Sequence, residues 1–396
     1  MVEPVRVNRR KFLLASGGVA AAATSAQFVP ATLLAQDKPL PPFASFKSPE
    51  AMIVHSANTM ETDREVMGAP PITPLNELFV RNNLPAPSEE IVADPDIWSV
   101  EFEGVAEPGS MTLGEMKKLG VESVAAVLQC SGNGRAFFDH ETSGTQWAVG
   151  AAGNVFWTGV PLRRILTAMG GTLQQSGFVT ATGGEELPPG IDPLTIMVER
   201  SVPVEALENA LLAYEMNGEP LKVAHGGPVR FVVPGYFGVN NVKYVRKVAL
   251  TENESGSKIQ QSGYRLRAVG DSGGPSQPSM YKMVVKSWVT EPMRDVSTGQ
   301  VLVQGVAMGG DSPVSSVEVS VDGGATWNAA NLSGPNLGRF AWRPFSYLVN
   351  LEAGTHLIAS RARNDAGEEQ PELFEPNHRG YGHNGWRDHA IELTVS

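Results

Sequence analysis

The chain has 396 residues, which is long for one compact core and predicts two domains. Its formal net charge is −11 and it offers no basic stripe, which argues against a nucleic-acid binder because phosphates need neutralising cations. A single cysteine excludes an internal disulfide framework, and the lack of a Cys-x-x-Cys-His motif excludes a covalent c-type haem in this chain.

The N-terminus has the pattern of a twin-arginine export signal. Arg9-Arg10-Lys11-Phe12 precedes a weakly apolar run, residues 15–26, that is too short for a membrane span of about 20 strongly apolar residues. The alternative is the basic start of a cytosolic domain, although the run shows no polar helical face. We expect residues 1–35 to be a signal peptide, cleaved after Ala26 or Ala35. The mature protein would then be periplasmic, exported already folded, and without a membrane span.

The next segments supply polar groups at the end of a short strand. Residues 36–70 are rich in proline and poor in periodic pattern, which predicts a lead-in along the surface. The apolar residues Leu78-Phe79-Val80 are followed by the polar residues Arg81-Asn82-Asn83, and prolines then end the strand. Residues 97–103 alternate like a strand, and residues 110–116 predict a short capped helix.

The only cysteine follows a predicted buried strand. The apolar run Val124–Leu128 leads into Gln129-Cys130-Ser131-Gly132-Asn133-Gly134-Arg135, where glycines allow the backbone to approach a ligand closely. Taken alone, Cys130 fits a small buried hydrophobe equally well. The other interpretation is a thiolate bound to a metal, with its pKa lowered by the metal and by Arg135.

Two helices and a polar turn are predicted next. An amphipathic helix is expected at 162–169, after a segment in which Trp157 fits a core position. A second helix is expected to continue into residues 211–221. His225 and Arg230 then bracket a glycine-proline turn ahead of an apolar strand.

The C-terminal third has a different pattern. Residues 271–280 are rich in glycine, serine and proline and mark a domain boundary. Short alternating strands follow at 301–306, 317–321 and 356–362, and Asp322-Gly323-Gly324 predicts a hairpin-like turn. This regular spacing predicts an immunoglobulin-like sandwich.

The cysteine stretch resembles that of the sulfite oxidase family of molybdenum enzymes, in which one such cysteine ligates molybdenum bound by a pyranopterin dithiolene. The strings at 211–221 and 321–327 also resemble the family, and the resemblance covers about residues 70–396. It implies an α+β fold. A sulfite-oxidase-type molybdopterin-binding catalytic domain is expected at 36–275, and an immunoglobulin-like β-sandwich that mediates dimerisation at 280–396.

The resemblance also implies residue roles. The catalytic and substrate-binding residues would be Cys130, which is also the metal ligand, Arg81, Arg135, Tyr264, Arg379 and Trp157. The molybdopterin would be held by Phe79, Arg81, Asn82, Asn83, Cys130, Asp192, His225, Arg230, Asn241, Val242 and Lys243. Arginine suits this task because its planar fork binds phosphate bidentately. Two positions depart from the family pattern: Asn83 replaces a histidine of the animal enzymes, and Gly263 replaces an acid before Tyr264.

The implied reaction is oxidation of sulfite to sulfate at a molybdenum–molybdopterin centre, followed by two one-electron transfers. With no haem in this chain, the expected acceptor is a separate c-type cytochrome, and a homodimer is expected. Three alternatives stay open. They are a sulfane dehydrogenase of a thiosulfate-oxidising complex, a periplasmic methionine sulfoxide reductase, which would lack the C-terminal sandwich, and a non-catalytic binding module with a structural Cys130.

Overall fold

The computed structural model describes residues 39–140, 142–172 and 176–396. The expected signal peptide, residues 1–35, lies outside the described residues. Among the helices that the structure describes, none is long and apolar enough to cross a membrane.

The first part of the chain is mainly strands. They are β1 (Met52–Ser56), β2 (Thr59–Thr62), β3 (Val80–Arg81), β4 (Ser99–Glu103), β5 (Gly109–Thr112), β6 (Glu122–Gln129), β7 (Ala152–Pro161), β8 (Phe178–Gly183), β9 (Glu199–Pro203), β10 (Leu211–Met216), β11 (Glu219–Pro220), β12 (Arg230–Val232) and β13 (Val245–Thr251). Within the described ranges they form three sheets, in the orders β1-β2-β3, β11-β10-β7-β6 with β12 paired to β10, and β5-β4-β13-β8-β9.

The helices are short. The α-helices are α1 (Leu113–Lys117), α2 (Leu162–Ala168), α3 (Pro193–Ile196), α4 (Lys258–Gln261) and α5 (Trp386–His389). Single 3-10 turns lie at Pro42–Ala44, Pro49–Ala51, Arg64–Val66, Glu89–Val92, Pro95–Ile97, Arg135–Phe137, Val204–Glu208, Val223–His225 and Gly238–Asn240.

Several predicted elements are confirmed. The buried strand ahead of Cys130 is β6, whose residues from Ala125 to Gln129 are all buried. The capped helix is α1, in which Thr112 and Glu115 form a capping box. The amphipathic helix is α2, which buries Leu162, Ile165 and Leu166.

The helix predicted across residues 211–221 is wrong. Leu211–Met216 is strand β10, paired antiparallel with both β7 and β12. Its first residues are buried on both faces, so the apolar run has no alternation and looks like a buried helix. The sequence feature that indicates a strand here is Asn217-Gly218. Both residues have positive φ and form a two-residue hairpin turn from β10 to β11.

The lead-in, residues 36–70, contains more structure than predicted. Its described residues include β1 and β2, and Met52, Val54 and Met60 are buried in a small core of their own. Ala224, from the turn before β12, packs into the same core. The lead-in is therefore attached to the segment that carries His225.

The C-terminal part is a β-sandwich, which confirms the predicted fold class. Its strands are β14 (Lys286–Glu291), β15 (Gly299–Met308), β16 (Val314–Ser320), β17 (Asn328–Ala329), β18 (Asn331–Leu332), β19 (Arg343–Leu351), β20 (Gly354–Asn364) and β21 (Ile391–Val395). The sheet orders are β14-β15-β19-β18 and β17-β16-β20-β21. Both sheets bury residues in one core, among them Val303, Val317, Phe345, Ile358 and Leu393. The turn after β16 contains Asp322-Gly323-Gly324 as predicted, and β16 pairs with β17.

The end of the chain returns from the sandwich to residues 130–135, which follow β6 and which we call the cysteine loop. The backbone N–H of Gly382 donates to the carbonyl of Ser131 at 2.8 Å. Nε of Arg135 donates to the carbonyl of Arg379 at 2.9 Å. Lys286, at the start of β14, lies 3.3 Å from the carbonyl of Asn133. The C-terminal part therefore packs against the back of the cysteine loop.

Candidate active site

A cleft with about 660 Å³ of empty space, including its open mouth, lies beside the end of β6. It brings together side chains that are far apart in sequence. Its lining comprises Phe79, Arg81, Asn82, Asn83, Leu128, Cys130, Ser131, Glu185, Val198, His225, Arg230, Gly238, Val239, Asn241, Val242, Lys243 and Tyr264.

Cys130 follows the last residue of β6 and is half-buried at the cleft wall. Its backbone N–H donates to the carbonyl of Ala151 at 2.9 Å, and its carbonyl accepts from the N–H of Asn133 at 3.0 Å. The backbone on either side of the sulfur is therefore fixed. Among the described residues, no group of three or more His, Cys, Asp or Glu side chains could hold a metal, so Cys130 is a single soft donor.

A wall of buried cations faces the same cleft. Nε of Arg230 donates to the carbonyl of Asn241 at 3.0 Å, and its Nη1 donates to the carbonyl of His225 at 2.9 Å. Nζ of Lys243 donates at 2.5 Å to Oδ1 of Asn82 and at 2.5 Å to the carbonyl of Ala224. These neutral acceptors orient the cations without neutralising them.

Burial makes these charges costly. It lowers the pKa of Arg230 to about 10, and it lowers the pKa of Lys243 well below its ordinary value, with the charge of Arg230 adding to the effect. Burial, reinforced by Lys47, Lys243 and Arg230, also holds the pKa of His225 far below its usual range, so its imidazole is neutral. Such a wall is stabilised when an anion binds against it.

Other residues predicted for the site lie behind or outside the cleft wall. Arg135 is buried, with its guanidinium directed to the carbonyls of Arg379 and Thr145. Arg379 is half-buried, at the return from the sandwich. Trp157 is buried beneath Arg230, whose guanidinium carbon lies 5.2 Å from the ring centroid. Asp192 is exposed and caps α3, accepting from the N–H of Leu194 at 3.0 Å.

Known proteins share this chain's sequence along most of its length. The oxidoreductase molybdopterin binding domain family matches residues 85–259, and the Mo-co oxidoreductase dimerisation domain family matches residues 277–394. Sulfite oxidase of Gallus gallus is 33% identical over 347 residues, which cover 82% of this chain and 74% of that protein. The chain belongs to the sulfite oxidase family.

Mitochondrial sulfite oxidase of Homo sapiens is 33% identical over 373 residues, covering 86% of this chain and 66% of the human protein. The chain thus spans slightly less than two thirds of that relative's length. The solved structure of the sulfane dehydrogenase SoxCD from Paracoccus pantotrophus matches with a TM-score of 0.73 at 23% identity, over 96% of both chains. At that identity the likeness concerns the fold alone.

The residues at the cleft fit the family's molybdenum–molybdopterin cofactor. Cys130 would offer one thiolate to the metal, and Arg230 and Lys243 would offer positive charge to the phosphate of the pterin. Two buried polar atoms of the lining, Nδ2 of Asn82 and Oγ of Ser131, have no hydrogen-bond partner among the described residues. Buried polar groups are rarely left unpaired, so these two fit contacts with a polar ligand.

Glu185 is a cleft residue that sequence reasoning missed. Burial raises its pKa to about 7, against the opposing effects of its own backbone hydrogen bond and of Lys243. Near neutral pH the carboxyl group is therefore partly protonated and only partly balances the charge of Lys243. Sequence gave no indication, because a glutamate beside glycines is ordinarily solvated.

Lys47 was also missed, and it joins three separate segments. Its Nζ donates to the carbonyl of Leu75 and, at 2.5 Å, to that of Leu78, just before the cleft residue Phe79. It also lies 2.9 Å from Nε2 of His225. Burial, together with the charge of Lys222, lowers the pKa of Lys47 well below its ordinary value. Nζ of Lys47 therefore has three polar neighbours in a buried position, two of them carbonyls to which it donates.

We expect Lys47→Met to destabilise the protein measurably. The substitution keeps the length of the side chain but leaves buried carbonyls without a donor, at a cost of about 1–3 kcal/mol each. Thermal unfolding should show a melting temperature several degrees below the wild type. Lys222→Met is the matched control, because that half-exposed ammonium lies over the Phe46 ring and 3.9 Å from a carboxylate oxygen of Glu219, with no buried carbonyl to satisfy, and it should melt like the wild type. Equal melting of both variants would refute the bridging role of Lys47.

Proposed function

We propose that this protein oxidises sulfite to sulfate with a molybdenum–molybdopterin cofactor bound in the cleft. The observation that carries the proposal is that Cys130 and the cation wall of Arg230 and Lys243 line one cleft. Arg81 lines the same cleft and adds a further positive charge for a small oxyanion. Membership of the sulfite oxidase family supports the same reaction.

The cofactor, when bound, supplies the two-electron redox chemistry. The chain's own residues hold the cofactor and orient the substrate. Cys130 fixes the metal through its thiolate, and Arg230 and Lys243 bind the phosphate end. Arg81 binds the anionic substrate by charge-assisted hydrogen bonds. Tyr264, whose side chain lines the cleft, offers a hydroxyl to a substrate oxygen.

Electrons then leave to a separate protein. We propose a small c-type cytochrome in the periplasm as the acceptor, because the N-terminal sequence has the twin-arginine pattern and the chain has no Cys-x-x-Cys-His motif. A transient contact of this kind is sensitive to salt. Electron transfer to the cytochrome should therefore slow as ionic strength rises, while transfer to ferricyanide is the reference.

The test is a steady-state assay of the purified protein with sulfite, using cytochrome c and ferricyanide as acceptors, together with metal analysis. The proposal requires about one molybdenum atom per chain and acceptor reduction that depends on sulfite. Turnover only with thiol-bound sulfur would reassign the protein as a sulfane dehydrogenase. Sulfoxide-dependent oxidation of a reduced dye would make it a reductase, and absence of molybdenum would favour a binding module.

The sandwich is proposed to form a homodimer. Leu302 in β15 and Leu348 in β19 are cross-strand partners on the outer face of the sheet, 48% and 56% exposed, and their exposed neighbours Gln300 and Asn350 are uncharged. An exposed apolar pair without charges suits a two-fold contact with a second copy, in accord with the matched dimerisation domain.

Light scattering at micromolar concentration should report twice the mass of the chain. Leu348→Lys places a charge at the proposed contact and should shift the protein towards monomer. Leu373→Lys is the control, since Leu373 is 49% exposed elsewhere on the surface, and this variant should remain dimeric. A monomeric wild type would contradict the homodimer, and a dimeric Leu348→Lys variant would place the contact elsewhere.

A further inference from the structure

Four side chains form a continuous stack behind the cleft, which we call the ring column. The rings of Tyr264 and Tyr381 are stacked, with centroids 5.1 Å apart and planes 11° from parallel. The guanidinium carbon of Arg200 lies 5.9 Å from the Tyr264 centroid, and that of Arg135 lies 5.4 Å from the Tyr381 centroid. The column therefore has a cation at each end and two aromatic rings between them.

Both ends of the column are fixed. Arg200, in β9, is fully buried and donates to Oδ1 of Asn240 and to Oγ of Ser279, at 3.1 and 2.9 Å from Nη2. At the other end, the hydrogen bonds of Arg135 to the carbonyls of Arg379 and Thr145 hold its guanidinium in place. Neither arginine is available to rearrange without losing buried hydrogen bonds.

Tyr381 is buried, and the side chain of Asn377 holds its backbone. It is 2% exposed, its N–H donates to Oδ1 of Asn377 at 2.9 Å, and its carbonyl accepts from Nδ2 of the same residue at 2.8 Å. Its backbone is therefore fixed within the segment that returns from the sandwich, and burial restricts the movement of its ring. Arg135, on its far side, belongs to the cysteine loop.

Tyr264 is the member of the column that reaches the cleft. It is half-buried, and its φ is +46°, in the left-handed region that side-chain-bearing residues rarely adopt. A tyrosine on such a backbone needs neighbours to fix its ring. The stack with Tyr381 on one face and the guanidinium of Arg200 near it supply that restraint.

We propose that Tyr381 is a positioning residue, which holds the ring of Tyr264 at the angle that directs its hydroxyl into the cleft. The proposal rests on the proposed sulfite oxidation for its functional consequence. It differs from a direct role of Tyr381, because Tyr381 is not part of the cleft lining. Positioning of Tyr264 requires the aromatic face of Tyr381 but not the Tyr381 hydroxyl.

Kinetics of the molybdenum-loaded enzyme distinguish a role of the Tyr381 aromatic face from a role of its hydroxyl. Tyr381→Phe keeps the face and should retain kcat/KM for sulfite within about twofold, whereas Tyr381→Leu removes it and should lose about ten- to a hundredfold, as small misplacements of reacting groups do. Tyr347→Leu, a half-buried tyrosine in β19, is the control and should leave kcat/KM unchanged. A Tyr381→Phe variant as poor as Tyr381→Leu would overturn the proposal.

A double-mutant cycle tests whether Tyr381 acts through Tyr264. Once Tyr264→Phe has removed the hydroxyl, adding Tyr381→Leu should cost less than about twofold more, because there is no longer a hydroxyl to misplace. Two losses that multiply would show that Tyr381 acts independently, and the positioning role would fail.

A spectroscopic measurement does not depend on the reaction. With 3-fluorotyrosine incorporated, the ¹⁹F resonance of Tyr264 is assigned by its absence in Tyr264→Phe. Tyr381→Leu should move that resonance towards the position of free fluorotyrosine, and Tyr347→Leu should not. An unmoved resonance rejects the positioning role even if sulfite is oxidised. A moved resonance in a protein that does not oxidise sulfite upholds the column and rejects only the proposed reaction.

Discussion

Turnover of a Cys130→Ser variant is expected to fall to background while the fold persists. The hydroxyl of serine is a harder and far less acidic donor than a thiol, so it is a poor ligand for a metal otherwise held by sulfur. The side chain is only half-buried and the volume change is small, so stability should stay within about 1 kcal/mol of the wild type. The backbone hydrogen bonds of the cysteine loop are unaffected by the substitution.

Molybdenum content, sulfite oxidation and melting temperature measured on one preparation check this expectation. Cys130→Ala should behave like Cys130→Ser, because both lack the thiolate. Ser123→Ala is the control on the same strand, since Ser123 is exposed at the far end of β6 and bonded to Thr158, and it should turn over like the wild type. Wild-type turnover in either cysteine variant would show that Cys130 is not the metal ligand.

The sequence predicted the parts of the site that local pattern carries. A run of apolar residues ending in a glycine-broken turn fixed the place of Cys130, because a buried strand and its end are both local features. The cleft-lining residues Arg81, His225 and Lys243 were predicted through the resemblance to the sulfite oxidase family. Their meeting in one cleft is a property of the sheet topology, which joins segments that no local pattern relates.

The residues that sequence reasoning missed all act over long sequence separations. Lys47 lies in a proline-rich segment, where a lysine is ordinarily solvated. It is buried because its side chain meets the distant residues Leu75, Leu78 and His225. Tyr381 was not predicted as a site residue, because its partners, Tyr264 and Arg135, belong to distant segments of the chain. Burial on both faces likewise hid the strand at Leu211–Met216, because the period that distinguishes strands from helices disappears there.

Arg135 has the charge expected of a substrate-binding residue but does not line the cleft. The sequence suggested that Arg81 and Arg135 both bind the substrate anion. In the structure Arg81 lines the cleft, while Arg135 packs beneath the cysteine loop with its guanidinium on two carbonyls and a tyrosine ring. Arg81 is therefore the arginine on which the substrate prediction can be tested most directly.

The second large effect is expected for Arg81→Gln. Glutamine keeps much of the length but removes the charge and the planar pair of donors that suits an oxyanion. A charge-assisted hydrogen bond is worth roughly 1.5–3 kcal/mol, so KM for sulfite should rise about tenfold or more and kcat/KM should fall accordingly. The melting temperature should hardly change, because Arg81 adds like charge near Lys243.

Sulfate inhibition is the companion measurement for Arg81. Sulfate should inhibit the wild type by occupying the anion site and should inhibit Arg81→Gln less. Arg163→Gln is the control, since Arg163 is exposed on α2 and pairs with Glu122, and it should change neither KM nor inhibition. If Arg81→Gln instead melts well below the wild type with an unchanged KM, then Arg81 supports the fold of the cleft wall, and the substrate anion must be bound by another cation of the cleft.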